Sequence, residues 1–123
     1  MHELSICQSL ILQIDNIART QPGRVHSVRI GVGPLAGVEP QLLANAYPIA
    51  GAGTAAEGSH LMIEQMQLRV RCRLCGTESA PPPNRLLCDA CGDWRTDLLA
   101  GDELLLLSVE FDTTEIAIEV CHV

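Results

Sequence analysis

Positive charge is scarce in this chain of 123 residues: eight basic side chains face fifteen acidic ones, for a net charge of −7. Phosphate backbones and anionic lipid would repel such a surface, so neither nucleic acid nor a membrane is expected as a partner. Long apolar runs are also missing. The longest, LILQI and LLLL, fall far short of the roughly 20 residues that cross a bilayer, and they read as pieces of strands or helices in a soluble protein. The first residues have neither the basic start nor the unbroken apolar core of a secretory leader, so they are expected to belong to the mature protein. Nothing resembles a phosphate-binding glycine loop, a dinucleotide loop or a nucleophile beside a base, and the chain is not expected to be an enzyme. Apart from two cysteine pairs, no internal repeat is visible.

What is present begins with periodicity. Leu4, Cys7, Leu10, Ile11, Ile14, Ile17 and Ala18 recur at steps of three and four, which makes one stripe of a helix running to about Thr20. Gln21-Pro22-Gly23 ends it. Val28, Ile30 and Val32 then alternate with Ser27, Arg29 and Gly31 as in a half-buried strand. Pro40 suits the first position of a second helix with Leu42, Leu43, Ala46 and Tyr47 on a common face, and Pro48 should stop or kink it. Past the small-residue loop 51–58, HLMIEQMQLRVRC reads as strand whose alternation slips at Gln65–Gln67, by a bulge or by a break into two strands. LLLLSVEF and EIAIEV are further strands. The fold class is therefore α+β: a small sheet with two helices on one face, residues 1–70 and 101–123, plus an inserted zinc-ribbon-like subdomain at 71–100.

Six cysteines in so short a chain are compatible with a disulfide scaffold, but four of them form the pattern CRLCG–CDACG, with twelve residues between Cys75 and Cys88. Two residues between thiolates let a tight knuckle aim both sulfurs at one tetrahedral ion, and Gly76 and Gly92 permit the positive φ that each knuckle needs. Soft sulfur ligands in tetrahedral geometry suit Zn2+, held by Cys72, Cys75, Cys88 and Cys91. The competing reading, two disulfides or a redox pair, fits a chain without a leader less well, and a reducing cytoplasm is the expected compartment. Such a site has no open position, so its role is to hold together a segment whose Pro81-Pro82-Pro83 run cannot build a core. Arg71, Arg73 and Arg85 nearby are expected to be solvated or paired with Glu78, Asp89 and Asp93. Cys7, on the helix stripe, reads as a buried thiol. Cys121 and His122 fit a tail strand better than a ligand pair.

The chain opens MHE, and a histidine at position two has a particular chemistry. The Met1 amine, the His2 amide nitrogen and the His2 imidazole close fused chelate rings around one ion, and the Glu3 amide completes a plane of four nitrogens, which nickel(II) or copper(II) favours. The amine must be free and deprotonated, and its ordinary pKa near 8 makes binding pH-dependent. Taken alone, a second-position histidine is more often an ordinary terminal residue.

MHELSICQSL at the start, IGVGPLAGVEP after the first strand, CRLCG and CDACG at mid-chain and the LLLLSVEF strand together resemble the HypA/HybF family of hydrogenase nickel-incorporation proteins, over residues 1 to about 111. The resemblance implies a nickel metallochaperone in which His2 binds Ni2+, with the Met1 amine and Glu3 in support. Glu39 falls where the family has an acid able to approach the N-terminal site, and the four paired cysteines match the family's zinc ligands. The implied partners are the large subunit of a nickel–iron hydrogenase and the GTPase of the maturation pathway, with the chain a monomer or homodimer. A zinc-ribbon interaction or nucleic-acid-binding module without nickel chemistry is the alternative. The segment DTTEIAIEVCHV extends past the strand that usually ends the family pattern.

Overall fold

The computed structural model describes residues 2–112, 115–117 and 123. The elements run α1 His2–Ala18, β1 Val25–Val32, α2 Pro40–Gly51, β2 His60–Gln65, β3 Arg69–Cys72, β4 Glu78–Ser79, β5 Thr96–Ala100, β6 Leu104–Phe111 and β7 Glu115–Ala117. Two sheets result, one ordered β2-β1-β6-β7 and the other β4-β3-β5. The α+β class with a cysteine-bearing insert, expected from the sequence, is what the structure shows.

Helix α1 buries the stripe that its periodicity marks out: Cys7, Leu10, Ile11 and Ile14 are all in the core. Each fully buried Leu or Ile contributes roughly 1.5–3 kcal/mol over an exposed one, which is how a helix without a basic last turn is held. Its last turn is closed by the Thr20 hydroxyl, which donates to the Ile17 carbonyl at 2.7 Å. Strand β1 pairs β2 in parallel and β6 antiparallel. A parallel pair cannot be joined by a tight turn, and α2 supplies the crossover between β1 and β2. Val28, Ile30 and Val32 of β1 and Leu106 and Val109 of β6 form one buried cluster with Leu10 and Ile14 of α1 and Leu43 and Tyr47 of α2, so both helices cover the same face of the sheet.

Two points in α2 differ from expectation. Pro48 does not stop the helix, which passes through it and ends at Gly51. Proline removes one hydrogen bond and crowds the carbonyl four residues back, but burial of Leu43 and Tyr47 and the packing of Ala46 and Ala50 against the core hold the last turn in place. Leu42 is 51 % exposed and does not share the face of Leu43, Ala46 and Tyr47. The steps 43, 46, 47, 50 define the buried stripe, and residue 42 lies about 100° from residue 43 around the axis.

The slip at Gln65–Gln67 is a break, not a bulge: β2 ends the first sheet's edge and β3 starts the second sheet. Between them Leu68 is buried beneath Gly101, where the chain returns from β5 to β6. The two sheets thus meet where residues 66–68 and 101–103 cross. No described helix is long and apolar enough to cross a membrane.

Candidate metal centres

Strand β3 delivers Cys72 at its last residue, and a tight turn follows in which the amides of Leu74 and Cys75 donate to Cys72 Sγ at 3.4 and 3.5 Å. The Gly76 amide closes the knuckle on the Cys72 carbonyl at 3.1 Å, and the second knuckle repeats this with Gly92 and Cys88 at 2.8 Å. Both glycines have the left-handed φ expected of them, 73° and 75°. A Cβ at either would meet nothing within 4 Å, so backbone conformation and not space requires glycine there.

The knuckles face each other. Cys72 Sγ lies 3.6 Å from Cys91 Sγ, and Cys75 Sγ lies 3.6 Å from Cys88 Sγ. All four sulfurs fall within 4.8 Å of one another. A tetrahedral ion with Zn–S of 2.3 Å places sulfurs about 3.8 Å apart, so the donor set fits zinc in number, type and spacing. All five described cysteines are free thiols, which removes the disulfide reading. Cys72 and Cys88 are buried, whereas Cys75 and Cys91 are exposed.

Sequence reasoning passed over Thr77. Its hydroxyl sits 3.2 Å from Cys75 Sγ and, with its amide and the neighbouring Cys88, holds the Cys75 thiol down at about 6. At Cys91 the Asp93 amide pulls the same way, but Cys72, burial and the remaining sulfurs outweigh it and push that thiol up to about 12. A hydroxyl two residues beyond a knuckle cysteine was the available signal. Among the nearby arginines, Arg71 pairs with Glu78 as expected, together with Arg69. Arg73 instead takes Asp97 across the β3–β5 pair, and Asp93 takes Arg95. These pairs lie at the solvent-screened surface and contribute little to stability.

At the other end of the molecule, α1 begins at His2 with Glu3 in its first turn. Glu3 lies close enough to Cys7 that its charge adds to burial in raising the Cys7 thiol to about 11. Ile6, Ala36, Val38 and Leu104 line one open cavity of about 480 Å³, so the loop leading into α2 runs beside the first turns of α1. That loop ends at Glu39, the N-cap of α2, whose Oε1 accepts from the Gln41 amide at 3.3 Å. The expectations placed on Met1, Cys121 and His122 lie outside the described residues. Cys7 is fully buried, as its place on the α1 stripe implies.

Residues 1–111 match the profile of the family described as hydrogenase/urease nickel incorporation, metallochaperone, hypA. The chain belongs to that family. It is 49 % identical over 115 residues to the hydrogenase maturation factor HypA of Nitrosospira multiformis, covering 93 % of this chain and all of that one. It is 38 % identical over 113 residues to the HypA of Aquifex aeolicus, covering 91 % and 98 % of the two chains. Two solved structures share the fold: the Ni metallochaperone HypA from Helicobacter pylori, with TM-score 0.66, 22 % identity and 89 % and 96 % of the chains covered, and a second HypA protein, with TM-score 0.70, 24 % identity and 90 % and 96 % covered. As a member of the family the chain is a nickel metallochaperone of hydrogenase maturation, with nickel as its cargo and zinc as the structural ion of the cysteine quartet.

Proposed function

We propose that nickel is held at the N-terminus by the Met1 amine and His2, with Glu3 and Glu39 in support, and is handed to the large subunit of a nickel–iron hydrogenase in concert with the partner GTPase. The observation that carries this reading is that α1 starts at His2, beside the loop that ends at Glu39. The first four amides of a helix have no intrahelical acceptor. The amide nitrogens of His2 and Glu3 are therefore available to lose a proton and donate to nickel without breaking any hydrogen bond of α1. Glu39 engages one oxygen in capping α2, and a carboxylate has a second to offer. Glu3, in the first turn of α1, also adds negative charge where the positive end of the α1 dipole would otherwise oppose a cation.

The Cys72, Cys75, Cys88 and Cys91 site has the opposite character. Four thiolates complete the zinc shell, so the ion binds no substrate and supplies folding energy to the segment that carries it. We assign residues 71–100 to that zinc subdomain and 1–70 with 101–123 to the nickel domain, with Arg69 and Val70 of β3 as the joint. The chain acts by binding and transfer and not by catalysis, in the cytoplasm, as a monomer or homodimer.

The test is a Gly-Ser extension before Met1, which preserves every side chain but turns the Met1 amine into an amide. Nickel titration of the extended, zinc-loaded protein should show sharply weakened binding and loss of the absorption of a planar nickel centre, with zinc content and thermal stability intact. His2→Ala should do the same and should stop hydrogenase maturation. Unchanged nickel affinity in the extended protein would overturn the amine-anchored site, and normal maturation with His2→Ala would overturn the role of His2.

A further inference from the structure

The helices cover one face of the four-stranded sheet, and the other face carries a row of ligand-type side chains. Strand register sets it. Ser27 of β1 pairs with His60 of β2 on one side and Glu110 of β6 on the other, and Glu110 pairs with Glu115 of β7. His60, Ser27, Glu110 and Glu115 thus lie side by side across all four strands, each step about 4.5–5.5 Å. The Ser27 hydroxyl donates to Glu110 Oε1 at 3.3 Å, which places both on this face. The next row is a self-neutralised pair, Arg29 with Glu64.

His26 joins the row. The register of β1 against β6 shifts between Val25 and Ser27, and there the His26 ring meets His60, with centroids 6.0 Å apart and planes at 78°. His26 also lines an open cavity of about 480 Å³ with Glu110, Phe111, Asp112 and Glu115. Two imidazoles sharing an ion at 2.0–2.1 Å have ring centres roughly 4.5–6.5 Å apart, so the observed separation lies within reach of a shared metal.

Glu110 and Glu115 are partners across β6 and β7, so two acidic side chains share this end of the row. Among the described residues no ion pair involves either of them or Asp112. The basic side chain nearest in sequence to His26 is Arg24; its carbonyl accepts from the Asp112 amide, and its guanidinium is turned to Gly58.

We propose that His26 and His60, with Glu110 as the carboxylate within reach, form a second metal site for one exchangeable divalent transition-metal ion such as nickel, separate from both the N-terminus and the cysteine quartet, with Glu115 at its edge as a nearby charge and not a ligand. Mixed imidazole and carboxylate donors suit ions of intermediate softness. The site lies on the face away from α1 and at the start of β1, six residues or about 20 Å along the strand from Val32, where the loop toward Glu39 begins. Among the described residues only the cysteine quartet already converges within 4.8 Å. The ion must therefore gather these side chains, which makes the second site weaker and faster to exchange than the zinc site. The proposal does not depend on the N-terminal nickel reading.

The experiment titrates nickel chloride into the full-length, zinc-loaded chain and follows stoichiometry by calorimetry and site by paramagnetic broadening of amide signals. A planar nickel at the N-terminus is diamagnetic, whereas nickel on imidazoles and carboxylates is paramagnetic, so the two sites read out differently. His2→Ala should retain one nickel per chain and broaden the amides around His26, His60, Glu110 and Glu115. Adding His26→Gln and His60→Gln, both at exposed positions, should remove that binding and broadening while zinc content stays the same. Glu110→Gln should weaken the nickel while zinc content stays the same. No nickel bound by His2→Ala, broadening centred elsewhere, or binding that survives the double histidine change would each overturn the proposal. Identical binding by wild type and His2→Ala would refute the N-terminal site and leave this one standing.

Discussion

Gly33→Ala should be among the most damaging small substitutions in this chain, although it adds a single methyl group. Gly33 follows β1, and an ideal Cβ there would lie 2.2 Å from the Gly101 carbonyl oxygen and 2.4 Å from its carbon. Ordinary contact is about 3.5–4.0 Å, so the backbones must part by more than 1 Å. Gly101 has nowhere to go, since a Cβ built on it would lie 2.6 Å from Leu68 Cδ1 and 3.0 Å from Leu68 Cα. Two hydrogen bonds cross the contact, Gly33 N–H to the Glu103 carbonyl at 2.9 Å and Leu35 N–H to the Gly101 carbonyl at 2.7 Å. Overpacking costs about 1–3 kcal/mol and each lost bond about 1 kcal/mol, for a total of about 4 kcal/mol. At roughly 4 °C per kcal/mol for a chain of this size, the melting temperature should fall by about 15 °C in thermal denaturation with zinc saturating throughout. Gly51→Ala is the matched control: the site is buried at the end of α2, its Cβ meets nothing nearer than 3.7 Å, and φ is not positive. It should gain about 0.5–1 kcal/mol. A Gly33→Ala melting temperature within about 2 °C of the parent would refute the argument. Because Gly33 opens the loop that ends at Glu39, its variant should also show whether that loop's position matters to nickel.

Three further outcomes follow from the same geometry. Cys91→Ala should release zinc, as measured by elemental analysis, and speed amide exchange in β3–β5 while α1 stays protected; retained stoichiometric zinc would exclude the four-sulfur ligand set. In the zinc-loaded protein, Cys7, buried in the core and pushed up to about 11 chiefly by that burial, should stay unmodified by iodoacetamide at pH 7 until the protein unfolds. Peptide mapping by mass spectrometry that found Cys7 modified in the folded protein would contradict this. Leu10→Ala should cost about 2–5 kcal/mol in urea denaturation, since Leu10 is wholly buried, whereas Leu12→Ala, 66 % exposed, should stay within about 0.5 kcal/mol of wild type.

Local chemistry was legible in the sequence because its physics spans only a few residues. The α1 stripe follows from the helical period, and Cys7, Leu10, Ile11 and Ile14 are buried at the positions it marks. The two knuckles follow from a spacing that aims paired thiolates at one ion, with glycine where φ turns positive. The family resemblance rested on the same short motifs. What the tertiary structure decided depends on partners distant in the chain. Pro48 stays inside α2 because the core holds the helix on both sides of it, and Leu42 faces outward because the stripe through Leu43 and Tyr47 is the one that meets α1 and the sheet. The slip at Gln65–Gln67 became a break because Leu68 is needed under Gly101, where the two sheets join. His26, His60, Glu110 and Glu115 are spread over ninety residues and form no motif. Only the register of four strands, which is set when their apolar faces are buried against the helices, brings them into one row.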